Sequence, residues 1–107
     1  MEPSLDDESR SFNTAVGSQL RAEASAQHIS VSRLADLMGM HRTTLNRYLE
    51  GERDIPVKVI YATADVLNIS PEIIVERATE RMTTQWELAA HRNPNKKQER
   101  KAREQGL

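Results

Sequence analysis

The chain has no cysteine, only four aromatic residues and no long apolar run, and each shortage closes off a class of protein. Without cysteine there is no disulfide, no thiolate nucleophile and no sulfur-ligated zinc. Phe12, Tyr48, Tyr61 and Trp86 are the whole aromatic complement, so aliphatic side chains must build the core. No segment approaches the ~20 apolar residues of a membrane span. The acidic N-terminus also lacks the apolar stretch of a signal peptide, so the expected location is the cytoplasm.

Net positive charge is lacking as well: 15 basic residues stand against 16 acidic ones. The balance is uneven along the chain, at −3 over residues 1–10, −1 over 11–92 and +3 over 93–107. A surface for a polyanion must therefore be a local cluster and not a global field. Nor is there a catalytic constellation. His28, His41 and His91 have no metal-ligand spacing, and Glu50, Glu52 and Asp54 flank a loop as a solvated rim. The expectation is a protein that is not an enzyme and holds no metal or cofactor.

What is present is organised around Ser30 to Arg53, SVSRLADLMGMHRTTLNRYLEGER. Its first half reads as a short helix over 31–38, with Leu34, Ala35, Leu37 and Met38 on one side and Ser30 as the N-cap. Gly39 ends it, since glycine takes a left-handed backbone without steric cost, and Met40 fills the corner. A second short helix over 42–50 sorts its residues by face, with Leu45, Tyr48 and Leu49 inward. Arg42, Thr43, Asn46, Arg47 and Glu50 point outward. Such a face suits the major groove, where arginine pairs with a guanine edge, asparagine with an adenine edge, and a threonine methyl meets that of thymine. Anionic membranes and acidic partners would also tolerate it.

With 107 residues there is room for one domain. Residues 1–10 are polar and acidic and read as a disordered lead-in. A first helix is expected from Ser11 to about Gln27, where Phe12, Val16, Leu20 and Ala24 recur every fourth residue and Gly17 weakens the pattern locally. After a loop over 51–55, Pro56 sits in the first turn of a helix whose buried side is Val59, Ile60, Thr63, Ala64 and Leu67, with Asn68 as a left-handed stop. Ser70-Pro71-Glu72 then starts a last, extended helix that no glycine or proline interrupts before Asn93. Ile74, Ala78, Met82 and Trp86 make a continuous apolar stripe along it. The first two close the core, and Met82 and Trp86 are expected beyond the compact body as a contact for a second copy or a partner protein. The other reading folds Trp86 back onto the first helix. Residues 93–107 form a basic flexible tail able to add phosphate contacts.

Val16 to about Ala78 resembles the helix-turn-helix domain of the lambdoid phage repressor and Cro (XRE-like) family. The resemblance rests on Leu34-Ala35, Gly39-Met40, Leu45, Tyr48, Glu50-Gly51, Leu67-Asn68-Ile69-Ser70 and Ile73-Ile74, in that order. It implies a compact all-α, five-helix domain whose third helix enters the major groove, usually as a dimer on two half-sites about one helical turn apart. The family's base-reading positions fall on Arg42, Thr43, Thr44 and Arg47, with Asn46 beside them. Its phosphate-contacting positions fall near Ser30 and Val31, on His41 and on Arg53 and Lys58, with Ser32 and Arg33 placed to assist.

Three features depart from the family pattern. Ala24 and Leu49 replace a charged pair that many members carry, an exchange often neutral or stabilising. His41 stands where a serine or threonine cap is common, so the second short helix should be less well capped. The loop Glu52-Arg53-Asp54 is short and acidic. The expected function is a sequence-specific transcriptional regulator, a repressor acting on double-stranded DNA in a bacterium or phage-infected cell. The rival is an antitoxin or other protein-interaction module that grips its partner through Met82 and Trp86.

Overall fold

Acidic side chains near a helix N-terminus complement the positive end of the backbone dipole, and the first turn of helix α1 carries Asp6, Asp7 and Glu8. The structure, a computed structural model, describes residues 5–92, and α1 runs Leu5–Ala26. It therefore starts six residues before the expected Ser11. The acidic composition that reads as a disordered lead-in is, from Leu5 onward, the opening of a 22-residue helix. The tail 93–107 and its expected role lie outside the described residues.

Four further helices follow: α2 (Val31–Met38), α3 (Arg42–Leu49), α4 (Val57–Leu67) and α5 (Pro71–Arg92). No strand occurs among the described residues. Chain reversals sit where the backbone turns left-handed, at Gly39 (φ 70°), Gly51 (φ 78°) and Asn68 (φ 55°). His28 (φ 59°) does the same after α1, a stop that its sequence does not announce. Pro56 is the N-cap of α4 and not a residue within its first turn; its carbonyl accepts from the amides of Val59 and Ile60 at 2.9 and 3.3 Å.

The core is aliphatic, built from Ala15, Val16, Leu20 and Ala24 of α1 with Leu34, Leu45, Leu49, Leu67, Ile74 and Ala78. Ala24 and Leu49, the apolar pair at the family's charged positions, are both inside it. Leu37 is not: it is 44% exposed, because the face that turns inward on α2 is Leu34 and Ala35 flanked by Val31 and Met38.

α1 and α5 run in opposite directions. Arg77 of α5 bonds Glu23, and Arg81, one turn on, bonds Gln19, one turn back. Gln27, just past the end of α1, also donates to the carbonyl of Leu67, the last residue of α4, at 2.8 Å. This return course corrects the placement of Met82. The extended α1 lies alongside, and Met82 packs against the core while Trp86 is half-buried.

Candidate nucleic-acid interface

Two eight-residue helices and the corner between them form the site. Ser30 caps α2 from an extended backbone, its Oγ accepting from the Arg33 amide at 3.1 Å. The amides of Val31 and Ser32, in a first turn that no helix can satisfy internally, remain available to an anion. At the other end the Met40 amide reaches back to the Ala35 carbonyl at 2.9 Å, closing the corner through Gly39. Met38 and Met40 fill the angle against Tyr48 and the core.

Helix α3 is anchored by Leu45 and Leu49, 0% and 3% exposed. Periodicity then fixes which residues face away: Arg42, Thr43, Arg47 and Glu50 are exposed, and Thr44 and Asn46 are half-buried on the two flanks. His41 opens the helix from an extended backbone but makes no side-chain cap bond, leaving its imidazole exposed. Ser32, Arg33, Arg53 and Lys58 are exposed as well. The basic groups among them are four arginines and one lysine around an otherwise near-neutral domain.

Three α1 residues that hold this surface carry no functional signal in the sequence. Gly17 lies against the last turn of α3, where a Cβ would stand 2.6 Å from the Leu49 carbonyl oxygen. Asn13 clamps the loop after α3: its Nδ2 donates to the Arg53 carbonyl at 2.9 Å and its Oδ1 accepts from the Ile55 amide at 2.8 Å. Arg21 donates through Nη2 to Asn46 Oδ1 at 2.9 Å. Gly17, a poor helix former within the periodic stretch, stands out beforehand, whereas Asn13 and Arg21 are ordinary polar residues of an amphipathic helix.

Behind the site, the α1–α5 seam holds an ion pair, Arg77–Glu23 at 2.6 Å, with Gln19 Nε2 donating to the same Glu23 oxygen at 2.6 Å. Burial pushes the Glu23 carboxyl up, but the bonds from Arg77 and Gln19 and the nearby charges of Arg77 and Arg81 outweigh it and hold the group below its ordinary value. No group of metal-ligating side chains occurs among the described residues. Nor is any described helix long and apolar enough to cross a membrane.

A family model for the helix-turn-helix domain matches residues 19–74, just over half of the chain. Among solved structures, the chain is similar to the clp gene regulator ClgR from Corynebacterium glutamicum, with a TM-score of 0.69 at 18% identity over 78% of this chain and 86% of that one. A second structure of that regulator gives 0.64 at 17% identity, covering 76% and 96%. At such identities the likeness is one of fold. No curated protein matches the sequence.

Proposed function

The chain belongs to the helix-turn-helix family of the phage repressor and Cro type, a family of DNA-binding transcriptional regulators and not of enzymes, and on that premise we propose that it is a sequence-specific repressor that occupies an operator and blocks polymerase. The observation that carries this reading is α3 itself, with Leu45 and Leu49 locked into the core and Arg42, Thr43 and Arg47 left free on the opposite side. Arg42 and Arg47 each read a guanine edge, Thr43 and Thr44 supply methyl and hydroxyl contacts, and Asn46 reads from the flank. The α2 N-terminus with Ser30, Ser32 and Arg33, together with His41 and Arg53, holds phosphates on either side.

The same reading makes the working unit a dimer on two half-sites in the bacterial or phage-infected cytoplasm. Its contact is the distal part of α5, where Leu88 is 62% exposed beside half-buried Trp86. The test starts from oligonucleotides selected by the full chain from a random pool. Arg47→Ala should cost about 1–3 kcal/mol on the selected site and relax one base position. Arg53→Ala should weaken binding to all sequences and reduce the salt slope by about one unit. An Arg47→Ala variant that titrates the selected site like the parent in a gel shift would sink the assignment.

A further inference from the structure

We infer that Arg21 of α1 sets the base preference of Asn46 by turning the side-chain oxygen of Asn46 away from the groove, so that Asn46 offers DNA its amino group alone. This rests on the reading of α3 as the recognition helix. Arg21 Nη2 lies 2.9 Å from Asn46 Oδ1. A guanidinium has donors and no acceptor, so the amide atom facing it must be the oxygen, and the Asn46 amino group points the other way. Asn46 stands half-buried one turn after exposed Arg42 and one turn before exposed Glu50, on the edge of α3 that meets α1.

Asparagine ordinarily reads adenine because that base presents a donor, the N6 amino group, beside an acceptor, N7. Such a pairing needs Oδ1 and Nδ2 together at the base. With Oδ1 held by Arg21, the two N–H groups of Nδ2 match a pair of acceptors, and the base edge that offers one is guanine, through N7 and O6. Arg21 therefore acts as a positioning residue that converts an adenine reader into a guanine reader. Because Arg21 is exposed, water competes for it in the free protein. Docking on DNA removes that water and strengthens the bond.

Selection from a random oligonucleotide pool with the full chain tests this, using the parent, Asn46→Ala, Arg21→Met and Arg21→Lys. The parent is expected to enrich guanine at one position whose preference Asn46→Ala abolishes. Arg21→Met should move that position towards adenine by about tenfold or more, the discrimination a good bidentate contact provides. Arg21→Lys keeps a donor without an acceptor and should retain guanine. Adenine at that position with the parent, an unchanged profile with Arg21→Met, or intact preferences with Asn46→Ala each overturn the inference. So does a uniform loss with Arg21→Met and a lower salt slope, which would make Arg21 a phosphate contact only. A parent that enriches no motif overturns the repressor reading itself, whereas a motif altered by Arg47→Ala but not by Arg21→Met defeats the role of Arg21 alone.

Discussion

Replacing Gly17 with alanine sets two effects of known sign against each other. In a helix interior alanine is favoured over glycine by about 1 kcal/mol, so a reading of α1 as an isolated helix expects Gly17→Ala to stabilise. The structure expects the reverse. The added Cβ would stand 2.6 Å from the Leu49 carbonyl oxygen, 2.8 Å from that of Tyr48 and 3.0 Å from the Leu49 carbonyl carbon. Close C–H to oxygen contacts settle near 3.3–3.6 Å, so α1 and the last turn of α3 must part by roughly 0.7 Å. All three obstructing atoms belong to backbone, which no rotamer change can move.

Separation at that point draws Leu45 and Leu49 away from Val16 and Leu20, four side chains that are at most 3% exposed. Overpacking of this kind costs about 1–3 kcal/mol, or more where the backbone must shift. Because every obstructing atom is backbone, the upper part of that range, about 2–3 kcal/mol, applies; subtracting the propensity gain of about 1 kcal/mol leaves a net loss near 1–2 kcal/mol, and at about 4–8 °C per kcal/mol for a domain of this size the melting temperature should fall by roughly 5–15 °C. Thermal unfolding followed by circular dichroism measures it, with Ser18→Ala as the control: Ser18 is exposed on the same helix, so there alanine should be neutral or slightly stabilising. Operator affinity should fall for Gly17→Ala as well, because α3 is the element displaced. A Gly17→Ala protein that melts at or above the parent temperature would refute the close-approach argument.

Three other outcomes follow from the same contacts. His41→Ser supplies the cap that α3 lacks and should raise stability by about 1 kcal/mol, read as a shifted urea midpoint with an unchanged slope. Glu23 has a folded-state pKa below its unfolded one, so its contribution is present at neutral pH and lost as pH falls through the folded value. The melting-temperature advantage of the parent over Glu23→Gln should therefore be full at pH 7 and shrink below about pH 4.5; a gap that stays constant down to pH 3 would mean that the Arg77–Glu23 pair does not hold the α1–α5 seam. Leu88→Asp should lower the sedimentation mass or the cooperativity on paired half-sites, and a parent already monomeric at operator-binding concentrations would dispose of the dimer contact.

The helices and their faces were largely legible because few signals conflict. Gly39 and Asn68 mark left-handed stops, Ser30 marks a start, and Leu34, Leu45 and Leu49 recur at helical spacing with charge on the other side. The start of α1 was not, because an acidic segment has the same composition whether it is a solvated tail or the first turn of a long helix. Composition alone does not decide between them. Met82 was misplaced for a related reason: a stripe on one helix shows that something covers it, not what. The burial of Leu37 failed because α2, at eight residues, is too short for a fourth apolar position to be sorted by period alone. The exposed residues of α3 follow from spacing, whereas Arg21 and Asn13 bond across 25 and at least 40 positions of sequence. No local pattern encodes that.

The restraints on the reading surface have a common source. Gly17 sets how near α3 can lie, Asn13 fixes the loop that carries Arg53, and Arg21 orients Asn46, and all three belong to α1. Because α3 is only eight residues long, it could not hold its own geometry in isolation. A near-neutral domain also has little long-range field to compensate a misplaced contact. On the proposed reading of α3, base discrimination should depend on how well α1 is held, and α1 is held from behind by α5 through Glu23, Gln19, Arg77 and Arg81. Loosening that seam should consequently relax base discrimination even though none of its residues belongs to α2 or α3, a coupling that repeating the oligonucleotide selection with Glu23→Gln would expose.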